Sequence, residues 1–186
     1  MVGVDEVGRG CWAGPLLVVA ARQRNDLPPG LTDSKLLTRE TREAIYQKLR
    51  KSCKFGEGWV EPREIDQAGL AEALRSGFAR AIDALGVNAE EKIVIDGTTN
   101  YAPITYTNVS CIIDADQHVA IVSAASVYAK VARDRFMKEL SKRYPDYGFE
   151  SHVGYGTKAH RQALQSAGAI KYVHRFSYRP LMEFAA

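Results

Sequence analysis

The sequence predicts an α/β protein: one sheet with helices on its faces. Three features carry that expectation. An apolar start and a second apolar run, Leu16 to Ala21, open the chain as two strands around a glycine-rich turn. Strand-like and helix-like stretches then alternate, which is the pattern of a sheet covered by helices. Finally, the apolar stretches stop at acids, at Asp5-Glu6, at Asp96 and at Asp114/Asp116, and strand ends along one edge of such a sheet are where sites form.

Taken in order, the first strand ends in Gly3-Val4-Asp5-Glu6-Val7-Gly8-Arg9-Gly10, and residues 8–15 make the turn of a hairpin with the second. Leu16 to Ala21 is apolar without alternation, as expected for a strand buried on both faces. Residues 25–30 are a loop broken by Pro28-Pro29-Gly30. Thr38 is a helix cap, and Ala44, Ile45 and Leu49 form a helical stripe over about 39–51. Phe55 to Glu61 reads as a strand, weakened by Gly56 and Gly58. Pro62 suits a helix start, and Ile65, Leu70, Leu74, Phe78, Ile82 and Leu85 predict one long helix closing near Gly86. Ile93 to Asp96 and Ile104 to Ile113 are the next strands. A helix is expected from Val119 to about Arg143, a loop rich in glycine and aromatics over 145–156, a short helix from Lys158 to Ala167, and a basic, aromatic tail over 171–180. Residues 1–186 read as one catalytic domain with a C-terminal helical and tail segment from about 158.

Composition excludes several classes. The chain has 186 residues, 46% hydrophobic and 25% charged, which is ordinary for a globular protein. No apolar run approaches the roughly 20 residues of a membrane span. The first ten residues lack the basic-then-apolar order of a signal peptide. Cys11, Cys53 and Cys111 are odd in number and far apart, with no C-x-x-C, so neither structural zinc nor a disulfide framework is suggested. A reduced, cytoplasmic setting is expected. The net charge is only +3. With four of the 22 acids set aside for metal, however, 25 basic residues face 18 acidic ones, a surface suited to a phosphodiester substrate.

Adjacent carboxylates on a rigid edge suit a hard cation such as Mg²⁺. Successive strand residues face opposite ways, so Asp5 and Glu6 share a site only where the strand ends or distorts. Arg9 between two glycines can set its fork and nearby N–H groups against a phosphate or sugar. At the third acid cluster, Asp114 and Asp116 both remain candidates from spacing alone. Asp134, beside Arg133 on the long helix, reads as an ion-pair partner, and His152 and His160 as structural or phosphate-contacting residues rather than ligands.

These motifs together resemble a known family. Val4-Asp5-Glu6-Val7-Gly8-Arg9-Gly10, Gly14-Pro15, Asp33-Ser34-Lys35, Ile95-Asp96-Gly97, Ala115-Asp116, Ser123-Ala124-Ala125-Ser126, Ala129-Lys130-Val131 and Gly154-Tyr155-Gly156-Thr157 occur here in the order found in type 2 ribonucleases H, in the bacterial form called ribonuclease HII. The resemblance implies a ribonuclease H-like fold with a mixed five-stranded sheet. It implies an endonuclease that cuts the RNA strand of RNA–DNA hybrids and cuts 5′ to ribonucleotides embedded in duplex DNA, leaving 3′-OH and 5′-phosphate. Asp5, Glu6, Asp96 and, of the two candidates, Asp116 would be the catalytic acids and hold two Mg²⁺ or Mn²⁺ ions. Gly8, Arg9 and Gly10 would read the ribose 2′-OH, Tyr155 would pack beside the junction, and Ser34 and Lys35 would contact phosphate. A cytoplasmic monomer acting on nucleic-acid duplexes in ribonucleotide removal is implied, with no membrane partner. Arg9 favours this type over the related type 3 enzymes, which lack it. The competing readings are a ribonuclease H-like nuclease acting on DNA alone and a non-catalytic nucleic-acid-binding module. The Gly-Arg-Gly turn and Tyr155 oppose the first, and the full set of acids opposes the second. The tail Arg175-Phe176-Ser177-Tyr178-Arg179-Pro180 only partly matches a family segment written Arg-Arg-Ser-Phe-x-Pro, so no nucleic-acid contact is expected from it, and the departure leaves the assignment of the catalytic acids unaffected.

Overall fold

A computed structural model describes residues 1–31 and 37–184. Strands β1 (Val2–Val7) and β2 (Leu16–Gln23) form the expected antiparallel hairpin, with Val4 opposite Ala20 and Glu6 opposite Val18. Strand β3 (Cys53–Val60) pairs antiparallel with β2, while β4 (Ile93–Asp96) and β5 (Val109–Ile112) run parallel to β1. The order β3-β2-β1-β4-β5 is a mixed five-stranded sheet, as the resemblance implied.

Strand β2 explains the layering. Leu16, Val18 and Ala20 face one side, and Leu17, Val19 and Ala21 the other, all fully buried. Helix α2 (Pro62–Leu85) covers the first side with Ile65, Leu74, Phe78 and Ile82. Helices α1 (Arg39–Ser52) and α4 (Ala120–Arg143) cover the second with Ile45, Leu49, Ile121 and Ala124. Truncating a fully buried residue such as Phe78 to alanine removes about 3–5 kcal/mol. The glycines of β3 serve packing: a Cβ on Gly58 would lie 1.9 Å from the Gly77 carbonyl oxygen, so α2 approaches the sheet only because that position is bare.

Several local expectations change. Helix α2 is broken at Gly69, where φ is 79°, a conformation that glycine adopts readily. The strand expected over 104–113 is only Val109–Ile112, because its neighbour β4 offers four residues to pair with, and Ile104 is 95% exposed in a turn after Pro103. Asp114 adopts a left-handed conformation, φ 52°, and starts a short helix, α3 (Ala115–His118). Asp116 therefore sits in a helical turn and does not end a strand. Within 145–156, expected as a loop, lie a 3₁₀ turn at Pro145–Tyr147 and helix α5 (Phe149–His152). Helix α6 (Lys158–Ala167) has the expected bounds, capped by Thr157, whose hydroxyl accepts the His160 N–H at 3.2 Å.

A satellite core joins the far half of α4 to these last elements, through Met137, Leu140, Tyr147, Phe149, Leu164, Val173 and Leu181, and it includes Ala13 from the β1–β2 turn. The C-terminal part of the chain is thus packed against the turn that follows the first acids. Among the described residues, no helix is long and apolar enough to cross a membrane.

Candidate active site

Parallel strands bring their carboxyl ends to one edge, and that edge holds the acids. Val4 pairs with Ile95, so one step further along both strands sets Asp5 beside Asp96. Next to β4, β5 runs into Asp114 and α3, which returns Asp116 to the same edge. Asp5, Glu6, Asp96 and Asp116 all line one cleft of about 270 Å³, together with Gly8, Arg9, Gly10, Ser126, Lys130 and Tyr155. Of the two candidates the spacing left open, Asp116 is buried and lines this cleft, while Asp114 is exposed.

The electrostatics of the acids are unfavourable as they stand. Asp5 is pushed up to about 8, first by burial, then by the negative charge of Glu6 and, more weakly, of Asp96. Ser126 donates a hydrogen bond to Asp5, and the Glu6 N–H donates to Asp5 Oδ1 at 2.7 Å, both in partial compensation. Burial also raises Glu6, opposed by Arg9, whose guanidinium lies 3.1 Å from Glu6 Oε1. Among the described residues, Asp96 Oδ1 is the one buried side-chain oxygen or nitrogen without a hydrogen-bond partner. Buried acceptors are nearly always satisfied, so this one marks a place for something else.

The donor set is carboxylate oxygen, which suits hard divalent cations. A cation there would satisfy Asp96 Oδ1 and relieve the repulsion felt by Asp5. The acids are nonetheless not drawn into a tight cage: among the described residues, no three His, Cys, Asp or Glu side chains are gathered closely enough to hold one ion.

The two turn glycines, expected to act alike, do different work. Gly8 has φ +93°, and a Cβ there would lie 2.5 Å from Arg133 Nε, so its bareness serves the interior. A Cβ on Gly10 would meet nothing within 4 Å, and Gly10 is exposed at the cleft. Tyr155 is 43% exposed, and its loop is pressed onto the Trp12 ring, 2.1 Å from where a Cβ on Gly156 would sit. Ser34 and Lys35 lie outside the described residues. Asp134 forms the expected ion pair, with Lys130 at 2.6 Å. His152 and His160 are buried and stacked at 4.5 Å, structural as expected.

Sequence reasoning gave no role to Ser123, Ser126 and Lys130, which α4 brings toward the acids. Ser123 Oγ donates to the main-chain oxygen of Asp116 at 2.5 Å, fixing α3 against α4. Their spacing of three and four places them along one helical face, and polar residues on an otherwise buried stripe were the available signal.

Comparisons with known proteins place the chain in a family and fold. The family model described as Ribonuclease HII matches residues 2–180. A Ribonuclease HII of Halalkalibacterium halodurans is 42% identical over all of this chain and 70% of its own length. One from Streptomyces avermitilis is 43% identical over 96% of this chain and 76% of its own. Among solved structures, the ribonuclease HII in a complex with PCNA from Archaeoglobus fulgidus is similar with a TM-score of 0.78 and 28% identity, covering 94% of this chain and 92% of that one. The ribonuclease H2 of Pyrococcus horikoshii gives 0.71 and 25%, covering 98% and 95%.

Proposed function

The chain belongs to the ribonuclease HII family, endonucleases that hydrolyse the RNA strand of RNA–DNA hybrids, and from that premise we propose that Asp5, Glu6, Asp96 and Asp116 are its catalytic acids and the ligands of two divalent cations, Mg²⁺ or Mn²⁺. The observation that carries the reading is the partnerless Asp96 Oδ1 beside an Asp5 carboxyl pushed up to about 8. Such a site is built to be completed by positive charge. Divalent cations supply, when bound, an activated water and a stabilised leaving oxygen for phosphodiester cleavage.

The protein's own groups do the rest. Ser126 holds the Asp5 carboxyl and Ser123 holds the segment bearing Asp116, so two acids are oriented from α4. Arg9 sits between Glu6 and the outer surface of the turn, placed to meet a phosphate or sugar. Gly8, Arg9 and Gly10 present peptide groups to the ribose, and a 2′-OH, which both donates and accepts, is the group that tells RNA from DNA. Tyr155, on the opposite wall, packs against the neighbouring sugar, where a second 2′-OH would crowd its ring. Lys35, with Ser34, contacts phosphate. The enzyme then cuts 5′ to a ribonucleotide embedded in duplex DNA, leaving 3′-OH and 5′-phosphate, as a monomer of one catalytic domain in the cytoplasm.

The test compares two duplexes under the same Mg²⁺ and salt, one with a single embedded ribonucleotide and one a continuous RNA–DNA hybrid. Tyr155→Ala is expected to lose far more activity on the first than on the second. An equal loss on both would make Tyr155 a general binding residue and remove the junction-reading part of the proposal.

A further inference from the structure

The tail, to which the sequence assigns no role, reaches the turn that lines the cleft. Arg175 is fully buried. Its Nη1 donates to the Gly8 carbonyl at 2.7 Å and to the Arg9 carbonyl at 3.1 Å. Its Nε and Nη2 donate to the Gly14 carbonyl at 3.1 and 2.9 Å. The Tyr178 hydroxyl donates to the Arg9 carbonyl at 2.5 Å and accepts from Arg175 Nη1 at 2.9 Å. The segment carrying both is itself tied down: Asp66 of α2 accepts the N–H groups of Phe176 and Ser177 at 3.0 and 2.8 Å, and Ala13 bridges to His174. From the other side, Arg133 of α4 donates to the carbonyls of Ala13, Pro15 and Val153 at 3.1, 2.8 and 2.8 Å. Two buried guanidinium groups thus spend their donors on carbonyls of the residue 8–15 turn and of the loop before Tyr155. Burying an arginine is costly unless every donor finds an acceptor, so this arrangement tolerates little displacement of those carbonyls.

The consequence concerns direction. A trans peptide is planar, and its C=O and N–H point opposite ways; the described chain has no cis peptides. With the Gly8 and Arg9 carbonyls drawn inward to Arg175 and Tyr178, the N–H groups of Arg9 and Gly10 point away from the tail, on the surface that the turn presents. We propose that Arg175 and Tyr178 are positioning residues for ribose recognition: they lock the Gly8-Arg9-Gly10 turn in the one orientation that displays its N–H groups to the sugar. The inference rests on the reading that this turn recognises the ribose.

The experiment measures sugar preference. The readout is the inhibition constant of an all-DNA duplex divided by KM for the same duplex carrying one ribonucleotide, both in Mg²⁺. Tyr178→Phe removes one hydroxyl and keeps the ring; the ratio is expected to fall about threefold, the effect of one hydrogen bond, with the all-DNA inhibition constant held and the melting temperature lowered by no more than a few degrees. Arg175→Lys keeps the charge but loses the fork, and the ratio is expected to fall at least about tenfold. Should Arg175→Lys not fold, Tyr178→Phe decides alone. Wild-type ratios in the folded variants, or equal weakening toward both duplexes, would overturn the inference. Gly10→Ala separates it from its premise, because the added methyl meets nothing in the free protein yet would stand between the turn and a sugar. If Gly10→Ala lowers the ratio and the tail variants do not, the turn reads ribose without the tail's help and the inference alone falls. If Gly10→Ala leaves the ratio unchanged, the turn does not read ribose and the premise falls with it.

Discussion

The two walls of the cleft are built on opposite principles. On the sheet edge, Asp5, Glu6, Asp96 and Asp116 line one cleft with like charges, and Asp96 Oδ1 has no hydrogen-bond partner. Across from them, the turn at residues 8–15 and the loop before Tyr155 have their carbonyls held by Arg133 and Arg175. One wall is electrostatically unfinished and the other is over-determined. A bound cation can therefore do work on the first wall without disturbing the second, which is how a site keeps its reading geometry fixed while its charges change.

The largest expected effect lies on the unfinished wall. Asp5→Asn or Asp96→Asn should lower kcat by about a thousandfold or more, since several kcal/mol of charge stabilisation are lost with a metal ligand. Neither should unfold the protein. Asp5→Asn should instead raise the melting temperature in EDTA at neutral pH, because an amide folds without the proton that a carboxyl raised from 3.8 to about 8 must take up. Near-wild-type cleavage by either variant in saturating Mg²⁺ would remove that residue from the proposed ligand set, and a lower melting temperature for Asp5→Asn would contradict the raised pKa of Asp5.

Next in size is a substitution on the finished wall. Gly8→Ala places a methyl 2.5 Å from Arg133 Nε at φ +93°, so it is strained twice over. A loss of about 2–4 kcal/mol of stability is expected, read by urea unfolding. A loss below about 0.5 kcal/mol would show the turn to be looser than its hydrogen bonds imply.

The same contrast sets what the sequence could show. The carboxylate wall was legible because its residues are strand-end acids, and hydrophobic runs announce where strands stop. Asp116 was legible only as one of two candidates, since neither periodicity nor spacing revealed that Asp114 would turn left-handed and start a helix. The other wall was largely hidden. Arg133 and Arg175 bond to backbone carbonyls from 20 to 167 residues away in sequence, and carbonyls carry no sequence signature. An arginine in a basic tail reads as a solvated or nucleic-acid-binding charge, and only the fold shows that it is fully buried. The shortness of β5 was missed because pairing with β4 overrode local pattern, and the break at Gly69 because a glycine inside a helical stripe does not announce a left-handed φ.

The walls should also answer to protons in opposite directions, and Mg²⁺ exposes the first. The folded-state pKa of Asp5 is raised from 3.8 to about 8, so the metal-free fold binds a proton that the unfolded chain releases. Its contribution is present at low pH and lost as pH rises through about 8. A cation competes with that proton. The stabilisation given by 10 mM Mg²⁺ should thus be several degrees greater at about pH 8 than at about pH 6 by thermal melting. An equal shift at both would mean that the ion does not bind where Asp5 ionises.

The second wall should fail in acid, by a smaller amount. The Ile170 N–H donates to His174 Nδ1 at 2.9 Å, so the neutral His174 ring carries its proton on Nε2. That proton is donated across 3.1 Å to His160 Nε2, which leaves His160 Nδ1 as the donor to the Tyr155 carbonyl at 3.0 Å. The hydrogen bonds thus assign both tautomers, and the chain from the tail to the Tyr155 loop holds only while both rings are neutral. Protonating either ring sets two N–H groups face to face. Burial accordingly lowers both from 6.5 to about 4, with repulsion from His152 adding at His160, and from His160 and His152 at His174. For a depressed histidine the stabilisation is complete above 6.5 and is lost as pH falls through about 4. Because Asp5 changes stability in the opposite sense over part of this range, the measurement belongs in the Asp5→Asn background, without metal. There the melting temperature should drop by a few degrees for each pH step between 6.5 and 4, and Tyr155 should become more accessible to solvent, seen as loss of protection of its loop amides in hydrogen exchange. A flat melting curve across that window would mean that the rings tolerate charge, and the loop bearing Tyr155 would then be held by Arg133 and the Trp12 contact alone.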